Sequence, residues 1–223
     1  MIETILQPRI IGASDWATII FVLMFVIIAI VKSVFENRFY DFMKLIVSDK
    51  YIKMYRDSTY LMSGFTIFLF VVQLVSLAFF IQLALHHFLQ TSKTDGILFI
   101  QIFAFLSVFV LSKFLIEKII ATSFNIEEFT DQYNLQKVNY RTYVGVLLLP
   151  IDAILFYNTN LSDFLIYFLI VVILLSNLLT YVISLKNYQN LLIGKLFYFI
   201  LYLCALEIAP YYFLYYLITK FRA

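Results

Sequence analysis

The chain has 223 residues, of which 63% are hydrophobic and 13% are charged, and its formal net charge is +2. A water-soluble fold cannot cover so much apolar surface, so the surrounding solvent must be lipid. Basic residues are scattered between apolar segments, which excludes a surface that tracks phosphates, and we expect no nucleic-acid partner. The one cysteine, Cys204, excludes an intrachain disulfide and a cysteine-based zinc cluster.

Six apolar segments predict an all-α fold, a polytopic transmembrane bundle of about six spans. Each segment approaches the roughly 20 residues that a helix needs to cross a bilayer. The predicted spans are residues 14–35, 58–85, 96–116, 142–157, 164–185 and 196–219. No soluble domain or linker interrupts them, so residues 1–223 are expected to form a single integral membrane domain.

The fourth predicted span is the least regular. Residues 142–157 are short for a span and contain both Pro150 and Asp152. A proline interrupts helical hydrogen bonding, and non-helical backbone at membrane depth is tolerated only where protein surrounds it. Two interpretations stay open: a kinked helix that crosses fully, or a re-entrant segment buried among the other helices.

Two connections are predicted to be helical without crossing the bilayer. Residues 37–57 place Phe39, Phe42 and Met43 at helical spacing with Arg38 on another side, a pattern typical of an amphipathic interfacial helix. Residues 125–133 begin with the spacing of a capping box and predict a short polar helix. Both connections would lie on the same side of the membrane.

The distribution of basic residues predicts the orientation. With six spans, 12 of the 16 Lys and Arg residues fall on the side that holds residues 37–57 and 125–133. The positive-inside rule makes that side cytoplasmic. We therefore expect both termini on the outward side, which is the periplasm for a bacterial inner-membrane protein.

Two carboxyl groups are the candidate functional residues. Asp152 in the fourth predicted span and Glu207 in the sixth are expected near mid-depth, where a charged side chain costs about 2.5–3.5 kcal/mol. Neither Lys nor Arg is predicted at that depth, so desolvation favours the neutral carboxyl. Three interpretations stay open: a proton-accepting pair or cation site, a hydrogen-bonded link between two helices, and contact with a basic residue of a partner subunit.

The remaining polar residues favour structural roles. Amides within the spans are more often interhelical hydrogen bonds than substrate ligands, and they are Gln73, Gln82, Gln101 and Asn177. His86 and His87 are expected at the membrane interface, because too few further ligands are near them for a metal site. Zinc-protease, nucleophile-elbow and phosphate-loop motifs are absent, so we expect no cofactor and no enzymatic activity. An enzyme acting on lipid or isoprenoid substrates is a third, less supported hypothesis.

The stretch Tyr202–Pro210 reads YLCALEIAP. This motif, with the size and span pattern of the chain, resembles a family of uncharacterised integral membrane proteins from Bacteroidota. The resemblance implies a bacterial inner-membrane location and places Glu207 within the motif, but it implies no activity. Because that lineage couples inner-membrane proton flow to secretion and gliding, the resemblance also suggests a link to such a machine.

Two functional hypotheses follow from the whole sequence. The first is a non-enzymatic subunit, or an assembly or accessory factor, of a larger membrane complex, with a membrane protein or a second copy of the chain as its partner. The alternative is a small transporter or channel component, coupled to protons or ions through Asp152 and Glu207. The chain shows no internal repeat, which argues mildly against the usual transporter plan.

Overall fold

The computed structural model describes residues 14–45, 51, 54–55, 63–89, 91–123, 127–158 and 163–187. These residues are almost entirely helical and include no strand, which confirms the all-α prediction. In chain order the helices are α1 (Asp15–Val34), α2 (Glu36–Met43), α3 (Gly64–Leu89), α4 (Gly96–Ser123), α5 (Glu127–Tyr157) and α6 (Asp163–Asn187).

Several helices have the length and composition of membrane spans. These are α1, α3, α4 and residues Thr130–Tyr157 of α5, and α6 adds a shorter apolar stretch, Phe164–Leu178. The protein is therefore a multi-pass membrane protein. The first five predicted spans each overlap one of these helices, whereas the sixth, residues 196–219, lies outside the described residues.

Helix α5 corrects the sequence prediction. Instead of a short helix at 125–133 and a separate span at 142–157, it is one continuous helix of 31 residues, about 46 Å long at 1.5 Å per residue. The helix also continues through Pro150, which removes only one backbone hydrogen bond, so the backbone is unbroken here, as the interpretation as a single helix requires. The polar stretch between the two predicted elements contains neither Gly nor Pro to end a helix.

Helix α2 corrects the predicted amphipathic face. Its buried residues are Arg38 and Phe42, and Leu45 just after it is also buried, whereas Met43 is exposed. The Phe42 ring packs edge-on against Phe65 of α3, with ring centroids 5.6 Å apart. The spacing i, i+4, i+7 therefore defines the face that packs on the bundle, and Arg38 belongs to it instead of lying opposite.

Helix α3 lies at the centre of the bundle and contacts α1, α4 and α5. At one end of the bundle an aromatic cluster joins these helices. Trp16 of α1 packs against Phe79 of α3 and Phe99 of α4, with centroid distances of 5.9 and 5.2 Å. The Trp16 Nε1 group also donates a hydrogen bond to the Thr94 carbonyl oxygen at 3.1 Å. We call this end of the bundle the Trp16 end.

The connection between α3 and α4 is fixed to the bundle at the Trp16 end. Gln82 Nε2 donates to the carbonyl oxygens of Lys93 and Asp95, at 3.2 and 2.8 Å. Asp95 Oδ1 accepts hydrogen bonds from the backbone N–H groups of Ile97 and Leu98, so it caps the first turn of α4. The Gln82 amide and the Asp95 cap thus supply hydrogen bonds to backbone groups, which lipid cannot do.

Candidate functional site

Asp152 is completely buried between α5 and α3. The Ser76 hydroxyl of α3 donates a hydrogen bond to Asp152 Oδ2 at 2.8 Å. Within the described part of the chain, Asp152 Oδ1 has no hydrogen-bond partner. The carboxyl group therefore joins two helices through one oxygen and keeps one acceptor oxygen unused.

Asp152 lies in the last third of α5. Asp152 lies five residues before the end of α5 at Tyr157, or about 7.5 Å at helical rise. The Tyr157 hydroxyl lies 2.5 Å from the Thr18 hydroxyl of α1. The last turn of α5 therefore lies at the Trp16 end of the bundle. Asp152 thus lies nearer the Trp16 end of α5 than the middle of that helix. Glu207 lies outside the described residues, and its pairing with Asp152 stays a prediction.

Two further contacts continue the α3–α5 interface away from the Trp16 end. Thr142 Oγ1 of α5 donates a hydrogen bond to Gln73 Oε1 of α3 at 2.9 Å, and both side chains are buried. One turn along α5, Gly145 lies directly on Gln73: a Cβ atom built at Gly145 would be 2.8 Å from Gln73 Cα. We call the set Gln73, Ser76, Thr142, Gly145 and Asp152 the α3–α5 seam.

A buried ion pair lies further along, between α4 and α5. Lys137 Nζ donates to Glu117 Oε1 at 2.9 Å, and both side chains are almost fully buried. Lys137 lies in the part of α5 that is richest in buried polar residues, including Asn134 and Gln136. We call this end of the bundle the Lys137 end.

Arg38 forms a second buried polar cluster, in the region between α2 and α3. Its guanidinium donates hydrogen bonds to Tyr51 Oη, Ser63 Oγ and Thr66 Oγ1 at 3.3, 2.7 and 3.1 Å. It also lies 4.4 Å from the Phe65 ring centroid, close enough for a cation–π interaction. Burial raises the pKa of the Tyr51 hydroxyl, and the nearby Arg38 charge acts in the opposite direction. The cluster fixes the α2 region onto α3.

The other polar residues singled out from the sequence occupy separate places. Gln73 and Gln82 make the hydrogen bonds described above, and Asn177 Nδ2 donates to the Ile173 carbonyl oxygen of its own helix at 2.9 Å. His86 Nδ1 contacts the Thr91 carbonyl oxygen, and the His87 ring packs against aromatic rings. In the described part of the chain no cluster of three or more His, Cys, Asp or Glu residues is placed to hold a metal ion.

Sequence reasoning missed three residues that organise the interior: Arg38, Gly145 and Glu117. Arg38 shares the i, i+4, i+7 spacing of Phe42 and Leu45, which was the available signal. Gly145 is an isolated glycine in a helical segment, a pattern that often marks close backbone approach in membranes. Glu117 lies just beyond the predicted end of the third span at residue 116, so its place inside a longer helix could not be inferred.

Comparison with known families gives one match, over residues 17–218, to a family described as a domain of unknown function, DUF4271. The chain belongs to this family. No curated protein and no solved structure matches the chain. The match covers most of the chain and confirms the prediction of an uncharacterised family. The matched residues include Glu207. The bacterial lineage and the YLCALEIAP motif stay predictions.

Proposed function

We propose that the protein is a non-enzymatic subunit, or an assembly or accessory factor, of a larger complex in a bacterial inner membrane. The observation that supports this most directly is that its polar spanning side chains join helices to one another. Asp152 bonds to Ser76, Thr142 bonds to Gln73, and both contacts link α3 to α5. Groups used in this way stabilise a fixed arrangement of helices instead of lining a path for a substrate.

The close backbone contact at Gly145 supports a rigid core as well. A carrier that alternates between two states has to move one group of helices against another around its binding site. Sliding α5 along α3 would move Gly145, which has no side chain, away from Gln73 and bring a larger residue into its place. It would also break two interhelical hydrogen bonds. A fixed α3–α5 pair with apolar faces on α1, α4 and α6 suits a scaffold that neighbouring membrane helices contact.

Co-purification at native expression level tests the proposal. The tagged full chain, extracted in a mild detergent, should elute with at least one stoichiometric membrane protein or with a second copy of itself. Photo-crosslinking residues at Phe25 and Phe168, which are 42% and 55% exposed, should capture that companion. The same residue at Phe65, which is 1% exposed, is the matched control and should capture none. Recovery of a lone monomer without intermolecular crosslinks would overturn the proposal.

A second candidate function, proton or ion coupling, is supported by the unused Oδ1 oxygen of Asp152. A buried carboxyl with a free acceptor can take up a proton, or contribute one ligand to a cation. A role as a helix link needs only the oxygen that accepts from Ser76. The two functions therefore make different demands on the carboxyl group.

Replacing Asp152 with Asn distinguishes the two functions. An amide oxygen can still accept the Ser76 hydrogen bond but cannot exchange a proton at neutral pH. For a helix link, Asp152→Asn should keep the protein level and thermal stability near wild type, whereas Asp152→Ala should lose about 1–2 kcal/mol of stability through the lost bond and the cavity. Proton flux into liposomes that disappears in Asp152→Asn, with the protein still folded, would favour coupling and contradict the scaffold.

A further inference from the structure

A half-open groove of about 620 Å³ lies among α3, α4, α5 and α6. Its α4 wall runs from Leu98 to Val110, about 18 Å at helical rise, and its α6 wall runs from Ile173 to Asn177. Most of the lining side chains are apolar, and Phe105 on the α4 wall is 54% exposed. We call this feature the α3–α6 groove. It is long enough to contact about three turns of a further helix.

Two amide side chains line the α3–α6 groove. Gln101 of α4 is exposed, and Asn177 of α6 donates from Nδ2 to the Ile173 carbonyl oxygen of its own helix. An amide can make several hydrogen bonds, since its oxygen has two lone pairs and its nitrogen carries two hydrogens. An acyl chain offers no partner for them, and a polar group without a partner is costly in lipid. An occupant that carries polar side chains therefore suits the groove better than an acyl chain.

The chain itself supplies an apolar segment that can reach the groove. Helix α6 begins at the Trp16 end, where its Tyr167 ring packs against His87 of α3, and it ends at Asn187 toward the opposite end. Residues 188–195 then connect it to the predicted sixth span at 196–219. Helices joined by a short connection usually pack as antiparallel neighbours. The connection also keeps the segment at a high effective concentration beside the α6 wall.

In an antiparallel arrangement, Glu207 and Asn177 fall at the same depth. Asn177 lies ten residues before the end of α6 at Asn187, about 15 Å at helical rise. Glu207 lies eleven residues after Leu196, about 16 Å in the opposite direction. A neutral carboxyl group can donate to an amide oxygen and accept from an amide nitrogen at the same time. Glu207 is therefore a suitable polar partner for the α6 wall.

We propose that residues 196–219 occupy the α3–α6 groove as a helix antiparallel to α6, with the Glu207 carboxyl group bonded to the Asn177 amide. Measured from the Trp16 end, Asn177 is fourteen residues along α6, about 21 Å, whereas Asp152 is five residues from the end of α5, about 7.5 Å. The two carboxyl groups are then about 13 Å apart along the bundle and form separate helix links. This placement differs from the pairing predicted from the sequence, and it does not depend on whether the chain is a complex subunit.

A photo-crosslinking residue identifies the occupant of the groove. Placed at Phe105 of the full chain in native membranes, it should link to residues 196–219, and the product should migrate at the mass of one chain. Ile100 is the matched control, because it is 64% exposed on the same helix but lies outside the groove lining, and it should give no such link. Links from Phe105 only to lipid, to another protein or to a second copy would overturn the proposal.

Paired cysteines test the depth of Glu207. The native Cys204 is first replaced with Ser, and Glu207→Cys is then combined with one second cysteine. With Asn177→Cys a disulfide should form on mild oxidation in membranes, since that bond needs Cα atoms within roughly 7 Å of each other. With Asp152→Cys, or with Leu175→Cys on the exposed face of α6, none should form. A disulfide with Asp152→Cys and none with Asn177→Cys would support the pairing of the two acids and rule out this placement.

Melting temperatures in detergent test the hydrogen bond without cysteines. Glu207→Leu and Asn177→Leu should each lower the melting temperature, and the double variant should lose little more than the larger single loss, because both changes remove one contact. Glu207→Gln should melt near wild type, because a second amide can also pair with Asn177. The losses from Glu207→Leu and Asp152→Ala should add. The reverse pattern, additive with Asn177 and coupled with Asp152, would contradict the proposal.

Discussion

Replacing Gly145 with Val should remove most of the folded protein from the membrane. A Cβ atom at this position would lie 2.8 Å from Gln73 Cα and 2.9 Å from Gln73 Cβ. Such contacts force a helix backbone to move, and overpacking of a dense interior costs about 1–3 kcal/mol or more. Since α3 is the central helix and α5 is its most extensive neighbour, the cost should fall near the upper end.

Gly64→Ala and Gly145→Ala form the matched comparison for this prediction. The nearest atoms to a Cβ at Gly64 are 3.9 Å away, an ordinary contact distance, so Gly64→Ala should leave stability equal or slightly higher. Gly145→Ala should already lower the temperature at which the protein leaves the monodisperse peak in fluorescence-detected size-exclusion chromatography. Combining it with Gln73→Ala should not restore that temperature, because the 2.8 Å contact includes the Gln73 Cα atom. Full recovery in the double variant would contradict the backbone clash.

The sequence predicted α1, α3 and α4 well for a physical reason. In lipid every backbone polar group must be satisfied within the segment, so a long apolar run has few alternatives to a helix. The length of α5 could not be predicted in this way. The first half of α5 contains buried polar residues, among them Asn134 and Lys137. In the sequence, such a polar stretch resembles a loop between two spans.

The candidate site was predictable in part. That Asp152 lies in a helix away from water could be inferred from its apolar neighbours, and the structure places it fully buried. Its contact with Ser76 could not be inferred, because the two residues are 76 positions apart and one sequence does not show which helices touch. The same limit applies to Glu117 and Lys137, whose contact depends on the antiparallel register of α4 and α5.

The buried ion pair carries the second large expected effect. Glu117→Met or Lys137→Met removes one side of this ion pair and leaves the opposite charge in a nearly buried position. Breaking a buried pair from one side typically costs about 3–5 kcal/mol, since desolvation of the remaining charge is no longer offset. Each single variant should therefore lower the thermal stability in detergent far more than Lys118→Met, which removes an exposed lysine of the same helix α4.

The double variant Glu117→Met/Lys137→Met gives this prediction its sharpest form. Replacing both partners of a buried pair with apolar side chains is often neutral or stabilising, because no buried charge remains to be solvated. Its stability should therefore recover to near wild type, and the double-mutant cycle should show a coupling of about 3 kcal/mol. Purely additive losses would mean that Glu117 and Lys137 act on stability through other neighbours.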